Sequence, residues 1–276
     1  MKNWLFELEG VSFTYPGGVT ALQEISLAIV EGKKTVFLGA NGAGKSTLFW
    51  HLNGLLRPRE GHIRYRGEVI RYERAFLRHL RQKVGIVFQD PDRQIFAGTV
   101  FQDVSFGPLN LGLRREEVCN CVMEALAMMD ILSLRDRPVH LLSHGEKKRV
   151  AIAGVLAMHP EVIIFDEPTT SLDPEHEEEL VNILEKLHAT GKQIIVSTHD
   201  VDFAYAFADQ IFVLGGGRLL ACGEPQEIFA DPELLSRAKL RKPLLFEVGE
   251  FLRKQGLCLQ GLPRKREALQ HLLEVG

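Results

Sequence analysis

The chain has 276 residues, 45% hydrophobic and 25% charged, with a formal net charge of −3. That composition fits a globular protein of one large domain, or a domain with a small appendage, and speaks against a general nucleic-acid binder. The start, "MKNWLFELEG", carries acids where a signal peptide needs an apolar run, and no stretch approaches the ~18 apolar residues of a membrane helix, so the chain is expected to dock on a membrane protein at most, not to be a channel. In chain order, residues 4 to 14 and "ALQEISLAIV" alternate apolar and polar, as half-buried strands do. "KTVFLG" is a continuous apolar run ending in Gly39, the pattern of a strand buried on both faces. "KSTLFWHLNG" reads as a helix stopped by Gly54, "GHIRYRGEVI" as a hairpin around Gly67, and "VGIVFQ" as another buried strand. Residues 99 to 130 have a helical pattern, and a further helix runs from Glu146. Then come the strand "VIIF", the helix "PEHEEELVNILEKLHAT", the strand "QIIVST", the short helix "VDFAYAFAD" and the strands "QIFVL" and "GRLLACG". Beyond Leu240, "LLFEVGEFLRKQG" and "PRKREALQHLLEV" are short amphipathic segments around Pro263. Cys119 and Cys121 lie two apart in a helical stretch and point to different faces. With Cys222 and Cys258 they read as buried small hydrophobes in a reducing cytoplasm.

"LGANGAGKST" fits G-x-x-x-x-G-K-[ST] with Gly39, Gly44, Lys45 and Ser46, set between a buried strand and a helix as the motif requires. Its glycines let the backbone approach closely. The loop and helix start (Gly39, Ala40, Asn41, Gly42, Ala43, Gly44, Lys45, Ser46 and Thr47) aim backbone N–H groups and a helix dipole at phosphate oxygens. Lys45 reaches the β and γ phosphates of ATP and the Ser46 hydroxyl binds Mg2+. "VIIFDEPTTSLD" ends a buried strand with two acids, whose side chains alternate in direction if the strand continues. Asp166 can then support Mg2+ while Glu167 holds the attacking water and takes its proton; the alternative is a solvated strand end before Pro168. His199 and Gln89 follow strands in the same way. Ligands of open parallel sheets bind beyond such carboxyl ends, so both join the candidate catalytic set, and Gln89 joins Ser46 and Asp166 as a Mg2+ ligand. The alternatives are a structural histidine at His199 and a polar strand terminus at Gln89. The fold class expected is α/β: a P-loop (RecA-like) parallel-sheet core with an antiparallel β subdomain and a helical subdomain, plus a small C-terminal extension.

The stretch "LLSHGEKKRVAIA" opens a helix yet places Lys147, Lys148 and Arg149 near its positive end, where acids are preferred. Residues 39–47, Gln89, "LSHGE" (142–146), "IIFDEP", "SLD" (171–173) and His199 occur in the order of the ATP-binding cassette family, and over about residues 1–235 the chain resembles that family. The resemblance implies a head-to-tail dimer, each ATP lying between the P-loop of one subunit and the "LSGGQ"-like segment of the other. Ser143 and Gly145 would face the partner's γ-phosphate, Asp173 would line the site, and Tyr15 would stack on adenine, the alternative for Tyr15 being a core tyrosine on the face shared with Val11 and Phe13. Three cations beside a helix start aimed at a tri-anion are then tolerable; the alternative is that each simply reaches into water. Ser143 and Glu146 also form S-x-x-E, a capping box that needs no ligand. His144 stands where the family usually has Gly and adds bulk at the interface; Glu146 replaces the usual Gln.

"VGIVFQDPDRQIFAGTVFQDVSFGPLNLGL" is similar to the energy-coupling-factor type of importer ATPase, especially those of cobalt and nickel uptake. That likeness implies an ATP-hydrolysing subunit at the cytoplasmic face of the cell membrane. Its partners would be a second, identical or paralogous ATPase subunit, a transmembrane coupling subunit and a solute-specific membrane subunit, with no nucleic acid. Residues 1–240 form the cassette domain in this reading. Its helical subdomain, at about 90–145, takes the coupling helices on Phe96, Phe106 and Leu109, the alternative for these three being the packing of that subdomain itself, and residues 241–276 are a C-terminal helical extension adding dimer contacts. A vitamin importer is the alternative. A soluble cassette protein acting on nucleic acid or ribosomes would carry a long heptad insertion or two cassettes, and a P-loop kinase or GTPase would not need "LSHGE" or His199.

Overall fold

The computed structural model describes residues 3–170, 172–256 and 261–275, and it divides into two compact units. The elements in chain order are β1 (Trp4–Thr14), β2 (Thr20–Val30), β3 (Thr35–Leu38), α1 (Lys45–Leu52), β4 (Glu60–Tyr65), β5 (Glu68–Val69), α2 (Arg74–Lys83), β6 (Val84–Val87), α3 (Val100–Leu111), α4 (Arg115–Met128) and α5 (His144–Leu156). They continue with β7 (Val162–Asp166), α6 (Pro174–Ala189), β8 (Gln193–Thr198), α7 (Val201–Phe207), β9 (Gln210–Gly215), β10 (Arg218–Gly223), α8 (Pro225–Ala230), α9 (Pro232–Ala238), α10 (Leu244–Lys254) and α11 (Arg266–Val275). Mixed parallel and antiparallel pairing makes the fold α/β, as expected.

One unit comprises residues 1–48, 58–68 and 197–276. Its antiparallel sheet runs β2-β1-β4, with Leu8 opposite Leu27 on one side and Ile63 on the other. In β1 the buried positions change parity between Leu8 and Val11, which in a regular strand would face opposite ways. A register shift there, with Gly10 in the left-handed region at φ +59°, restores both to the core. The same unit holds β10-β9-β3, with β3 parallel and β10 antiparallel to β9. All of "TVFL" in β3 is buried, as the continuous apolar run requires.

The C-terminal segments pack in this unit too. Tyr205, Phe229 and Phe246 are almost fully buried, and Tyr205 meets the other two rings edge-on at 5.7 and 5.6 Å. Arg264 donates to the carbonyl oxygens of Tyr205 (2.7 Å), Ala206 (3.3 Å) and Ala208, so one guanidinium satisfies the end of α7 and opposes its negative pole. Arg264→Ala should lower stability by about 1–3 kcal/mol, read as a shift of the urea midpoint; Lys at 264 should restore little, since an ammonium lacks the planar fork.

The other unit comprises residues 49–57 and 69–196. Its strands run β8-β7-β6, with β6 parallel to β7 and Val87 opposite Phe165. Helix α6 begins at Pro174 behind the N-cap Asp173, carries Glu175 and Glu177 in its first turn and Lys186 and His188 in its last, and buries Leu180, Leu184 and Leu187 along one stripe. The helical pattern of residues 99–130 resolves into α3 and α4, parted at Gly112 in a left-handed C-cap (φ +84°). Helix α2 was absent from the sequence-based expectation; of its residues only Leu80 is buried. Cys121 is buried, but Cys119 is only partly so and Cys222 is exposed, which corrects the expectation of uniformly buried thiols; Cys258 lies outside the described residues. Among the described residues, no helix is long and apolar enough to cross a membrane.

Candidate active site

In the first unit the loop of residues 39–44 leads from β3 into α1. Gly39 donates from its backbone N–H to the Thr198 carbonyl at 3.2 Å, and the Ala43 N–H closes the turn on the Ala40 carbonyl at 3.1 Å. Two glycines are required by contact. A Cβ on Gly39 would lie 2.4 Å from the Leu214 carbonyl oxygen, and one on Gly44, at φ +100°, would lie 2.6 Å from that of Ala21. Ala40, Asn41 and Gly42 are exposed, Ala43 is buried, and Gly44 and Ser46 are half-buried. Lys45, 6% exposed, lays its ammonium across the loop, donating to the Gly39 carbonyl at 2.5 Å and the Ala40 carbonyl at 3.2 Å. A cation thus sits beside a helix start whose first N–H groups have no intrahelical acceptor, an arrangement that fits a phosphate chain.

Tyr15 is half-buried against the same loop. Its hydroxyl lies 3.0 Å from the Thr47 hydroxyl, and its ring meets Phe13 edge-on at 5.0 Å. His199 follows β8 and is exposed, lining an open cleft with Asp200, Lys239 and Arg241. The cradle, Tyr15 and His199 are therefore brought together in one unit.

The second unit gathers Gln89, Asp166, Glu167, Ser143, Gly145 and Asp173. Strand β6 ends at Val87, so Gln89 lies exposed in the loop beyond it, next to the carboxyl end of β7 where Asp166 is buried. Glu167 corrects one expectation. The two acids are not separated by strand alternation, because the strand stops at Asp166 and Glu167 adopts a left-handed backbone, φ +47°. Glu167 is 5% exposed, and the Thr170 hydroxyl donates to its Oε2 at 3.4 Å. A non-glycine residue held in this region costs energy and commonly marks a functional turn. Ser171, within the "SLD" motif, lies outside the described residues.

Helix α5 opens at His144 with Ser143 as N-cap, and the expected capping box is formed. The Ser143 hydroxyl accepts from the Glu146 N–H at 3.2 Å, and the Ser143 N–H donates to Glu146 Oε2 at 2.7 Å. That N–H bond holds the Glu146 carboxyl below the usual carboxylate range. Ser143 and His144 are exposed, and Gly145 is half-buried near His176. The three cations do not reach into water as a group. Lys147 pairs with Asp92 at 2.6 Å, Arg149 pairs with Glu179, and Lys148 is 3% exposed, its ammonium 3.4 Å from the Thr170 carbonyl. Asp173, expected at the nucleotide, caps its own helix: it accepts from the His176 N–H at 3.0 Å and lies 2.7 Å from His176 Nδ1, which lowers the aspartate pKa and raises that of the histidine.

Taken unit by unit, Ser46 offers a hydroxyl oxygen in the first and Asp166 a carboxylate in the second, each a hard donor of the kind Mg2+ prefers. The α/β fold with a glycine-rich loop between strand and helix defines a P-loop nucleotide-binding class of protein. The sequence profile described as ABC transporter matches residues 22–170, and the chain belongs to that family. It is 49% identical over 261 residues to the energy-coupling factor transporter ATP-binding protein EcfA2 of Methanospirillum hungatei, covering 94% of this chain and 66% of that protein. It is 47% identical to the cobalt import ATP-binding protein CbiO of Rhodobacter capsulatus, covering 95% and 94% of the two chains. The solved structure of cbiO1 from Clostridium perfringens, described as part of the ABC transporter complex cbiONQ, matches with a TM-score of 0.76 at 42% identity, over 90% of this chain and all of that one. The chain spans under two thirds of some relatives, 66% of the Methanospirillum protein and 56% of a Methanosarcina mazei ABC transporter ATP-binding protein.

Proposed function

We propose that this chain is the ATP-hydrolysing subunit of an energy-coupling-factor importer that takes up cobalt or nickel. The names of its relatives support the importer type and favour a transition metal. The observation that carries the reading is the exposed start of α5: Ser143 and His144 face outward at the head of a helix whose next turns are buried. A capped helix start presented to solvent, with the positive end of its dipole facing outward, suits a surface that meets a phosphate held by a second subunit.

In this reading Lys45 and the loop N–H groups bind the phosphates. Ser46, Gln89 and Asp166 hold Mg2+, which offsets phosphate charge when bound. Glu167 orients the water and accepts its proton, His199 approaches the γ-phosphate side, and Tyr15 stacks on the base. Ser143, Gly145 and Asp173 contribute across the dimer. Because each nucleotide is gripped from two sides, binding closes the pair and hydrolysis releases it, and the membrane partner converts that cycle into a stroke. The cassette is residues 1–240, with the helical part at about 90–145, and residues 241–276 add dimer contacts.

The membrane partner would seat on the helical part. Phe96 and Phe106 are 64% and 50% exposed and stack edge-on at 4.7 Å, beside the similarly exposed Leu109. Asp103 holds that pair in place by accepting from the Phe96 and Ala97 N–H groups, both at 2.9 Å. Such an ordered apolar patch suits a helix from a partner. The test is to identify the membrane proteins that copurify with the chain and to assay the complex for uptake of radiolabelled cobalt and nickel against vitamins. Metal uptake that stops when Glu167 is replaced by Gln is the result expected. Vitamin uptake would shift the solute, and association with nucleic acid or ribosomes would overturn the reading.

A further inference from the structure

Lys148 is a buried cation that the proposed mechanism leaves unused. It is 3% exposed and follows the N-cap Ser143 by five residues, a rise of about 7.5 Å along α5. Its ammonium is 3.4 Å from the carbonyl of Thr170, and the Thr170 hydroxyl in turn donates to Glu167 Oε2 at 3.4 Å. Burial lowers the Lys148 pKa to about 8, and the Glu167 charge opposes that by favouring the ammonium. A methionine would fill the same space without the desolvation cost, since buried ions are often replaced by apolar side chains at no loss of stability. The lysine therefore breaks a local rule, in the helix that presents Ser143 and beside the left-handed turn that presents Glu167.

We propose that Lys148 is a positioning residue that ties the start of α5 to the catalytic turn of the same chain, its ammonium fixing the Thr170 carbonyl and the Glu167 carboxylate. Ser143 and Glu167 serve different nucleotides in the dimer, so this tie makes engagement of one nucleotide by α5 felt at the acid that hydrolyses the other. The inference rests on the reading of Glu167 as the residue that orients water.

The test uses the purified full-length chain, alone and in its copurified complex, with steady-state ATPase kinetics, ATP affinity and thermal unfolding for the wild type, Lys148→Met, Lys148→Arg and Glu167→Gln. Lys148→Met should lose about tenfold or more in kcat while KM and ATP affinity stay within about twofold, because a misplaced catalytic group costs rate and not ground-state binding. Its unfolding temperature should not fall, and Lys148→Arg, which keeps the charge, should recover most of the rate. The inference is overturned if Lys148→Met keeps kcat within about twofold of wild type, or if both variants lose activity only in proportion to lost thermal stability. Inactive Glu167→Gln beside fully active Lys148→Met overturns this inference alone. Active Glu167→Gln overturns the role of Glu167 and this inference with it.

Discussion

Glu167→Gln should abolish turnover and leave ATP binding intact, with a loss in kcat of about 10²–10⁴-fold, the range attributed to a positioned general base. The amide has the shape of the carboxylate but cannot take a proton from water. It fills the same nearly closed site and can still accept from the Thr170 hydroxyl, so the turn at φ +47° has no new reason to rearrange. The substitution leaves Lys45 and the glycines of the loop in the sequence as they are. If two subunits share each nucleotide, blocked hydrolysis should trap them together. Size-exclusion chromatography with light scattering should show a dimer that persists in ATP and Mg2+ and is absent without nucleotide. A variant that hydrolyses ATP at near the normal rate, or one that stays monomeric with ATP both in solution and in its membrane assembly, would sink the assignment.

The glycine loop was legible because its chemistry forces a fixed spacing, and the contacts at Gly39 and Gly44 give the reason: a side chain there would collide with the Leu214 or Ala21 carbonyl. The buried strands were legible because a sheet covered on both faces favours continuous apolar runs, "VFL" in β3 and "VIIF" in β7, with the polar Thr35 and Asp166 only at the strand ends. The turn at Glu167 was not legible. Left-handed backbone is usually announced by glycine or asparagine, and here a glutamate is held in it by its surroundings. The cations of α5 look like one cluster in sequence because they are consecutive, whereas a helix turns ~100° per residue and sends the three to three destinations. A signal was present. Lys148 stands four and seven residues before Ile152 and Val155, both buried, so it falls on the apolar stripe of its own helix. Asp173-Pro174 likewise carries the N-cap and first-position preferences of a helix start, and that local role is the one the structure displays. Helix α2 escaped because an Arg-rich segment that buries a single leucine offers almost no apolar period to find.

Lys45→Ala should lose ATP binding while the protein stays folded. In the structure the Lys45 ammonium is nearly enclosed and is held on the carbonyls of Gly39 and Ala40, at the head of α1. Truncating one partner of an enclosed, hydrogen-bonded charge pair costs about 2–5 kcal/mol of binding, which is a weakening of roughly 30-fold or more. The fold should tolerate the change because two local effects oppose. The Gly39 carbonyl loses a donor, worth about 1 kcal/mol, while α1 exchanges a cation at its positive end for the residue with the best helix propensity, worth a few tenths to about 1 kcal/mol in return. Isothermal titration with ATP and Mg2+, run beside urea unfolding, separates the two quantities. Lys45→Arg discriminates further: a guanidinium keeps the charge but is bulkier than the space that leaves the lysine 6% exposed, so it should recover only part of the affinity. Unchanged ATP affinity in the alanine variant would mean that the phosphates lie elsewhere. The loop would then owe its glycines to packing against Leu214 and Ala21 alone.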